Sequence, residues 1–241
     1  MLVPSSNTAL EPATAALAAP LTDRVGIHFS RFEVTRIALS DDADAQFSLA
    51  PILNAASLLA DAQVSVVAWN GTSASWRGFE TDDRLCDAIT ARTGCAATSA
   101  ILGLNAALRA LGTRKLGLVT PYTSDVESAI IANYARVGID IAASRRENLQ
   151  DNFSFAEIAP DRVAEMCREV AAQGVDAIAI VCTNMRGPFI ATEIEAEFGI
   201  PVIDSIAVTL WHALTMLGLD PSALSPFGRL FRIRPDDHVN D

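Results

Sequence analysis

Histidine is scarce in this 241-residue chain, with His28, His212 and His238 as its three examples. No His-x-x-x-His or Cys-x-x-Cys pair occurs. The four cysteines, Cys86, Cys95, Cys167 and Cys182, show neither a paired metal spacing nor a disulfide framework. No bound metal is therefore expected. Basic residues are in deficit too: 18 Lys and Arg stand against 29 Asp and Glu, a formal charge of −11. Nucleic acid and anionic membranes need clustered Lys and Arg, so neither is an expected partner. A small anionic substrate stays open, because the field within a site is local. No apolar run approaches the roughly 20 residues of a membrane span. The first twenty residues lack the basic region and apolar core of a secretory signal. A cytoplasmic protein is the expectation.

What the chain does have is apolar content, half of its residues, enough for a sizeable core. Short β-rich runs alternate with longer helical patterns, which predicts an α/β fold with parallel sheets. The strand candidates are Arg36–Leu39, Val64–Trp69, Lys115–Thr120, Asp140–Arg145, Ala177–Val181 and Pro201–Ile203. Helices are predicted over Gln46–Ala60, Asp82–Ala91, Ser99–Leu111, Asp125–Val137, Pro160–Ala172, Phe189–Phe198 and Ile206–Leu217. Gly112, Gly138, Gly174, Gly199 and Gly218 each close one of these stretches, as helix C-caps do. Asp125 and Ser99 are placed to act as N-caps. Periodicity is weak before Pro20 and after Pro226. The apolar faces expected on Leu102–Leu111 and Ile206–Leu217 would suit a homo-oligomer.

A faint internal repeat runs through this alternation. Leu2-Val3-Pro4-Ser5-Ser6 resembles Leu118-Val119-Thr120-Pro121-Tyr122, each a strand running into a Pro-containing loop. Val66 to Ser73 likewise resembles Ile178 to Asn184. The offset, roughly 110–117 residues, is far longer than a solenoid repeat. It predicts two similar lobes, residues 1–112 plus 206–241 and residues 113–205, each a parallel sheet flanked by helices. Ligands of parallel sheets bind beyond the carboxyl ends of the strands, and all four repeated loops fall there, facing one cleft.

The chemistry-bearing residues lie in those loops. Gly71-Thr72-Ser73 offers backbone N–H groups and two hydroxyls in one strand-to-helix turn, an arrangement that binds an anion without a positive charge. Tyr122, between a strand and a helix, can add a phenol donor. Taken singly, Thr72 and Ser73 read as helix-capping residues, Tyr122 as a loop aromatic and Asn7 as an Asx-turn former. Cys182 follows the apolar run Ala177–Val181 directly and should sit at the mouth of the cleft. Backbone N–H groups behind it would lower its pKa. Cys86 and Cys167 read as packing residues, whereas Cys95 lies in a loop that could approach the cleft. His28 and Arg31 could bind an anion or serve structure.

Five segments together, LVPSSNT (2–8), WNGTSASW (69–76), TPYTSDVE (120–127), VCTN (181–184) and SIAVTLWHAL (205–214), resemble one family. It is the branch of the aspartate/glutamate racemase superfamily that holds maleate cis-trans isomerases and arylmalonate decarboxylases. The resemblance implies an enzyme that needs no cofactor and acts on a small carboxylate or dicarboxylate through an enediolate. It assigns oxyanion binding to Thr72, Ser73 and Tyr122, proton transfer to Cys182 and a carboxylate contact to Asn7. Asn184 becomes a second amide candidate, and Ser6, Gly71, Pro121, Thr123 and Thr183 line the cleft. It also implies a first strand that begins several residues before the short run preceding Ser5.

The family's racemases and isomerases carry two cysteines, one from each lobe. Here Gly71 stands where the first belongs, and glycine cannot donate, accept or attack. One cysteine with a Gly-Thr-Ser turn resembles the decarboxylases. LVPSSNT and Cys182-Thr183-Asn184 look more like the isomerases. The expectation is therefore a lyase or isomerase, with arylmalonate-type decarboxylation favoured. A maleate-isomerase or racemase activity in which Asn70 or Cys95 replaces the lost cysteine is the alternative. A carboxylate-binding protein without turnover is the third reading.

Overall fold

The computed structural model describes residues 1–40 and 45–234 and contains two four-stranded parallel sheets. The first runs β2 (Ser30–Phe32), β1 (Leu2–Pro4), β3 (Val66–Trp69), β4 (Ala96–Ser99). The second runs β6 (Asp140–Arg146), β5 (Lys115–Thr120), β7 (Ala177–Ile180), β8 (Val202–Asp204). Both sheets have the same order of strands in sequence, and all pairings are parallel. The faint repeat is thus a repeat of topology: β1 corresponds to β5 and β3 to β7. Central strands of parallel sheets are covered on both faces. Accordingly all four residues of β7, an unbroken Ala-Ile-Ala-Ile run, are fully buried.

The helices are α1 (Leu10–Ala18), α2 (Leu49–Ala60), α3 (Ala74–Arg77), α4 (Glu80–Thr93), α5 (Ala100–Ala110), α6 (Ser124–Arg136), α7 (Pro160–Ala171), α8 (Ala191–Phe198) and α9 (Ser205–Met216). Ser99 caps α5, its hydroxyl accepting the Leu102 N–H at 3.0 Å, as expected. Asp125 does not cap α6: the cap is Thr123, and Asp125 lies in the first turn. Gly112 (φ +63°) and Gly199 (φ +74°) end their helices in the left-handed conformation that glycine adopts without a Cβ penalty. Helix α9 returns from the second sheet to pack against α5. The pair fits closely at Gly103, where an added Cβ would meet His212 and the Val208 carbonyl oxygen at 3.0 Å. His212 Nδ1 also bonds Thr98 Oγ1 at 2.7 Å. These two helices cover each other, so the apolar faces expected to be free are largely buried.

Two further expectations are corrected. Arg36–Leu39 is not a strand, because only Arg36 forms an isolated bridge, with Asp151. The edge strand beside β1 is Ser30–Phe32. The segment before Pro20, weak in periodicity, forms β1 and α1, and the first N–H groups of α1, from Ala9 and Leu10, are accepted by Asn7 Oδ1 at 3.1 and 2.9 Å. Cys95 precedes β4, whose register sets Ala96 beside Val66 and Ser99 beside Trp69. At about 3.3 Å per residue, Cys95 lies about 13 Å from the cleft end of its strand.

Candidate active site

The strand ends of both sheets meet in one cleft. From the first sheet come the loop after β1 (Ser5–Thr8) and the turn after β3 (Asn70–Ser73). From the second come Pro121–Thr123 after β5 and Cys182–Asn184 after β7. The cleft is tightly closed: Asn7, Thr72, Ser73, Tyr122, Cys182, Thr183 and Asn184 are all buried.

Hydrogen bonds stitch the two sides together. Asn7 Nδ2 donates to the Thr183 carbonyl at 2.9 Å, and Thr183 Oγ1 donates to the Asn70 carbonyl at 2.9 Å. Asn184 Oδ1 accepts from Thr8 and Ala9 N–H at 2.9 and 3.1 Å, and its Nδ2 donates to the Asn152 carbonyl. Both ends of the Asn7 and Asn184 amides are thereby engaged within the protein. Ser6 Oγ donates to the Val34 carbonyl at 2.6 Å and accepts from Asn152 Nδ2 at 2.7 Å. Arg31 bonds Glu11 and the carbonyls of Ser5 and Asn7, so it holds the first loop in shape. The Pro121 carbonyl is tied to Leu149 N–H at 2.8 Å. The Thr123 hydroxyl lies beside the Asp125 carboxylate, whose pKa it helps to lower.

At the centre, Thr72 Oγ1 and the Tyr122 hydroxyl share a hydrogen bond of 2.7 Å across the cleft. The Tyr122 ring is fixed between Trp76 and Phe155, with centroids 5.2 and 5.6 Å away. Cys182 Sγ accepts the Asn184 backbone N–H at 3.3 Å. That contact and the Tyr122 hydroxyl both favour the thiolate, yet desolvation prevails: burial pushes the Cys182 thiol up to about 12. The lowered pKa expected from the backbone donors is corrected, since those donors lie in a dry cleft. At neutral pH the sulfur carries its proton. Burial likewise raises the Tyr122 phenol, with the neighbouring Cys182 charge as the next cause.

Gly71 faces a wall. β3 ends at Trp69, and the turn that follows brings Gly71 back against the Trp69 indole. An added Cβ at Gly71 would lie 1.9, 2.3 and 2.6 Å from Trp69 Cζ2, Cε2 and Cη2. The indole is buried and packed on Phe32, centroid to centroid 5.0 Å, so it cannot swing aside cheaply. Behind it, Trp69, Ser73, Phe47 and Asp82 line a chamber of about 200 Å³.

A model of the family described as arylmalonate decarboxylase matches residues 13–231. The chain belongs to this family. It is 28% identical to the arylmalonate decarboxylase of Bordetella bronchiseptica over 170 residues, 69% of this chain and 71% of that one. To the maleate isomerase of Geobacillus stearothermophilus it is 24% identical over 237 residues, 91% of each chain. In fold it is similar to a cysteine-to-serine variant of Nocardia farcinica maleate cis-trans isomerase that holds a covalently bound succinylcysteine intermediate. That likeness has TM-score 0.83, 24% identity and 96% coverage of both chains. The branch of the superfamily and the fold expected from the sequence are thus established, and the chain is an enzyme of the decarboxylase and isomerase kind. Among the described residues, no helix is long and apolar enough to cross a membrane.

Within this family cleft, two features escaped the sequence reading. Asn152 fastens both Ser6 and Asn184 from a loop of the second half, and no motif marks it. The collision between Trp69 and position 71 was written in the Trp-x-Gly order, but it takes the orientation of the indole to see it. Phe189 is exposed and packs on Phe227.

Asp82 gives the chamber a pH-dependent wall. It is buried, one carboxylate oxygen lacks a partner among the described residues, and burial pushes the carboxyl up to about 7 against the pull of Ser99. Its usual value is 3.8. Between these two values the folded chain keeps a proton that the unfolded chain has released, so stability falls as pH rises through that window. Urea midpoints should therefore decline from pH 5 to pH 8, and Asp82→Asn should reduce the decline. A variant with the parent's full slope would contradict this assignment.

Proposed function

We propose that the chain decarboxylates a disubstituted malonate of the arylmalonate type, without a cofactor, through a single-thiol mechanism. The observation that carries this reading is the Trp69 indole occupying the space a side chain at Gly71 would need. It leaves Cys182 without an opposing thiol.

In the proposed reaction one carboxylate leaves as carbon dioxide, and the electron pair of the broken carbon–carbon bond remains as an enediolate. Thr72, Ser73 and Tyr122 donate to the enediolate oxygens, which supports the charge in a site where water cannot compete. The Cys182 S–H then gives its proton to the carbon from one face. A thiol held at about 12 suits this step, because it enters neutral and the resulting thiolate is basic enough to regain a proton from solvent when the cleft opens. Ser6, Asn7, Gly71, Pro121, Thr123, Thr183 and Asn184 form the surrounding walls. Substrate entry requires the Thr72–Tyr122 bond and the Asn7–Thr183 contact to part, a movement between lobes of residues 1–112 plus 206–241 and 113–205.

The Asn7, Thr183 and Asn184 set and the end-to-end likeness to a maleate isomerase favour isomerisation as the second reading. That reaction needs a nucleophile over the double bond, and a buried neutral thiol is a poor one.

Carbon dioxide release from a panel of disubstituted malonates, with maleate as the control, separates the two. Release from a malonate should fall by about a hundredfold to ten-thousandfold in Cys182→Ala. Fumarate from maleate, or binding with no turnover in the parent chain, would overturn the proposal. Gly71→Cys should destabilise the fold by about 1–3 kcal/mol through overpacking. Trp69→Leu in the same chain should restore part of that loss. A Gly71→Cys variant as stable as the parent in urea would contradict the indole's role.

A further inference from the structure

A second cavity lies away from the cleft, where the chain passes from the first sheet to the second. It has a volume of about 420 Å³, within the range of small-molecule sites. Its walls come from both halves: α4 and α5 on one side, Arg114 and the segment joining α6 to β6 on the other.

The polar groups here are unspent. Asn105 and Arg109 are four residues apart on α5 and so share a face. The left-handed turn at Gly112 then brings Thr113 and Arg114 back to the same cavity. Thr113 is buried, and its hydroxyl has no hydrogen-bond partner among the described residues; the buried Asn105 side-chain oxygen has none either. Buried polar atoms without partners are costly and uncommon, and of these two the Thr113 hydroxyl is the donor that a carboxylate oxygen would satisfy. Arg109 and Arg114 are exposed and form no ion pair among the described residues. Asp83 also lines the cavity, so its charges sum to one net positive. The remaining wall is apolar, with Phe79, Leu102 and Ile139, and Val137 leaves half its surface to solvent.

We infer that this cavity binds a small organic monocarboxylate with an apolar body, its carboxylate on Arg109, Arg114 and the Thr113 hydroxyl. One net positive charge favours a single carboxylate over a phosphate or a dicarboxylate. The apolar wall requires more than a bare anion. Because both halves form the walls, a ligand there bears on their relative position, and its affinity is linked to the state of the cleft. The inference does not depend on which reaction Cys182 performs.

Benzoate is the probe. Titrated into isotope-labelled protein and followed by amide chemical shifts, it should move the Gly112, Thr113 and Arg114 signals saturably. Affinity at these signals should drop about tenfold or more when Arg109→Ala and Arg114→Ala are combined, the loss expected for charge-assisted contacts. Both arginines are exposed, so the variant should keep its fold. Thr113→Val gives a second, independent weakening. Benzyl alcohol, which has the body without the charge, and sulfate, which has charge without the body, should each bind these signals far more weakly. No saturable shift there, an affinity unchanged by removing both arginines, or sulfate binding as tightly as benzoate would overturn the inference.

Discussion

Where the two sheets meet, the Cys182 sulfur has lost its water, and the rest of the cleft is organised around that desolvation. A backbone N–H and the Tyr122 hydroxyl both face the sulfur, yet burial still pushes the thiol up to about 12. In the proposed reaction the group is therefore an acid in reserve rather than a ready nucleophile. An acid that must act on a developing carbanion needs donors to hold the charge and a dry setting to make those donors effective. In the proposed reaction Thr72, Ser73 and Tyr122 are those donors, and the aromatic rings of Trp76 and Phe155 keep Tyr122 from drifting.

The second constraint acts from the opposite wall. The turn after β3 sets position 71 against the Trp69 indole, so Trp69 settles what that position can hold. The indole is itself held by Phe32 on the neighbouring edge of the sheet. Glycine at 71 is then a packing requirement as well as a chemical absence. The clips of Asn7, Thr183 and Asn184 complete the picture: these three side chains are satisfied by groups of the cleft itself. A carboxylate entering the cleft exchanges those contacts for its own, so the net gain on binding is smaller than the count of its hydrogen bonds.

The sequence made the sheet cores legible because buried parallel strands are continuous apolar runs, as in Ala177–Val181 and Lys115–Thr120. The edges were harder. Ser30–Phe32 is a three-residue edge strand with a half-exposed pattern, and Ala96–Ser99 carries no β-branched run. Helix α1 has little amphipathic contrast and depends on Asn7 and its neighbours for definition. At the site, the loop motifs identified which residues converge, and the repeat indicated which positions correspond. What they could not convey was solvation and rotamer. Those decide that the Cys182 pKa rises where isolated donors would lower it, that Asn7 and Asn184 are engaged with backbone groups, and that Trp69 fills the space beside Gly71.

The account's central claim is that one protonated thiol delivers to one face of a planar intermediate. Decarboxylation of a prochiral aryl methyl malonate in deuterated water, with the product analysed by NMR and chiral chromatography, tests it most directly. The account predicts a single enantiomer carrying one deuterium at the α-carbon, with no further exchange when that product is returned to the enzyme. A racemic product, or continued exchange at the α-carbon, would mean that a second group delivers protons from the Gly71 side and would contradict it.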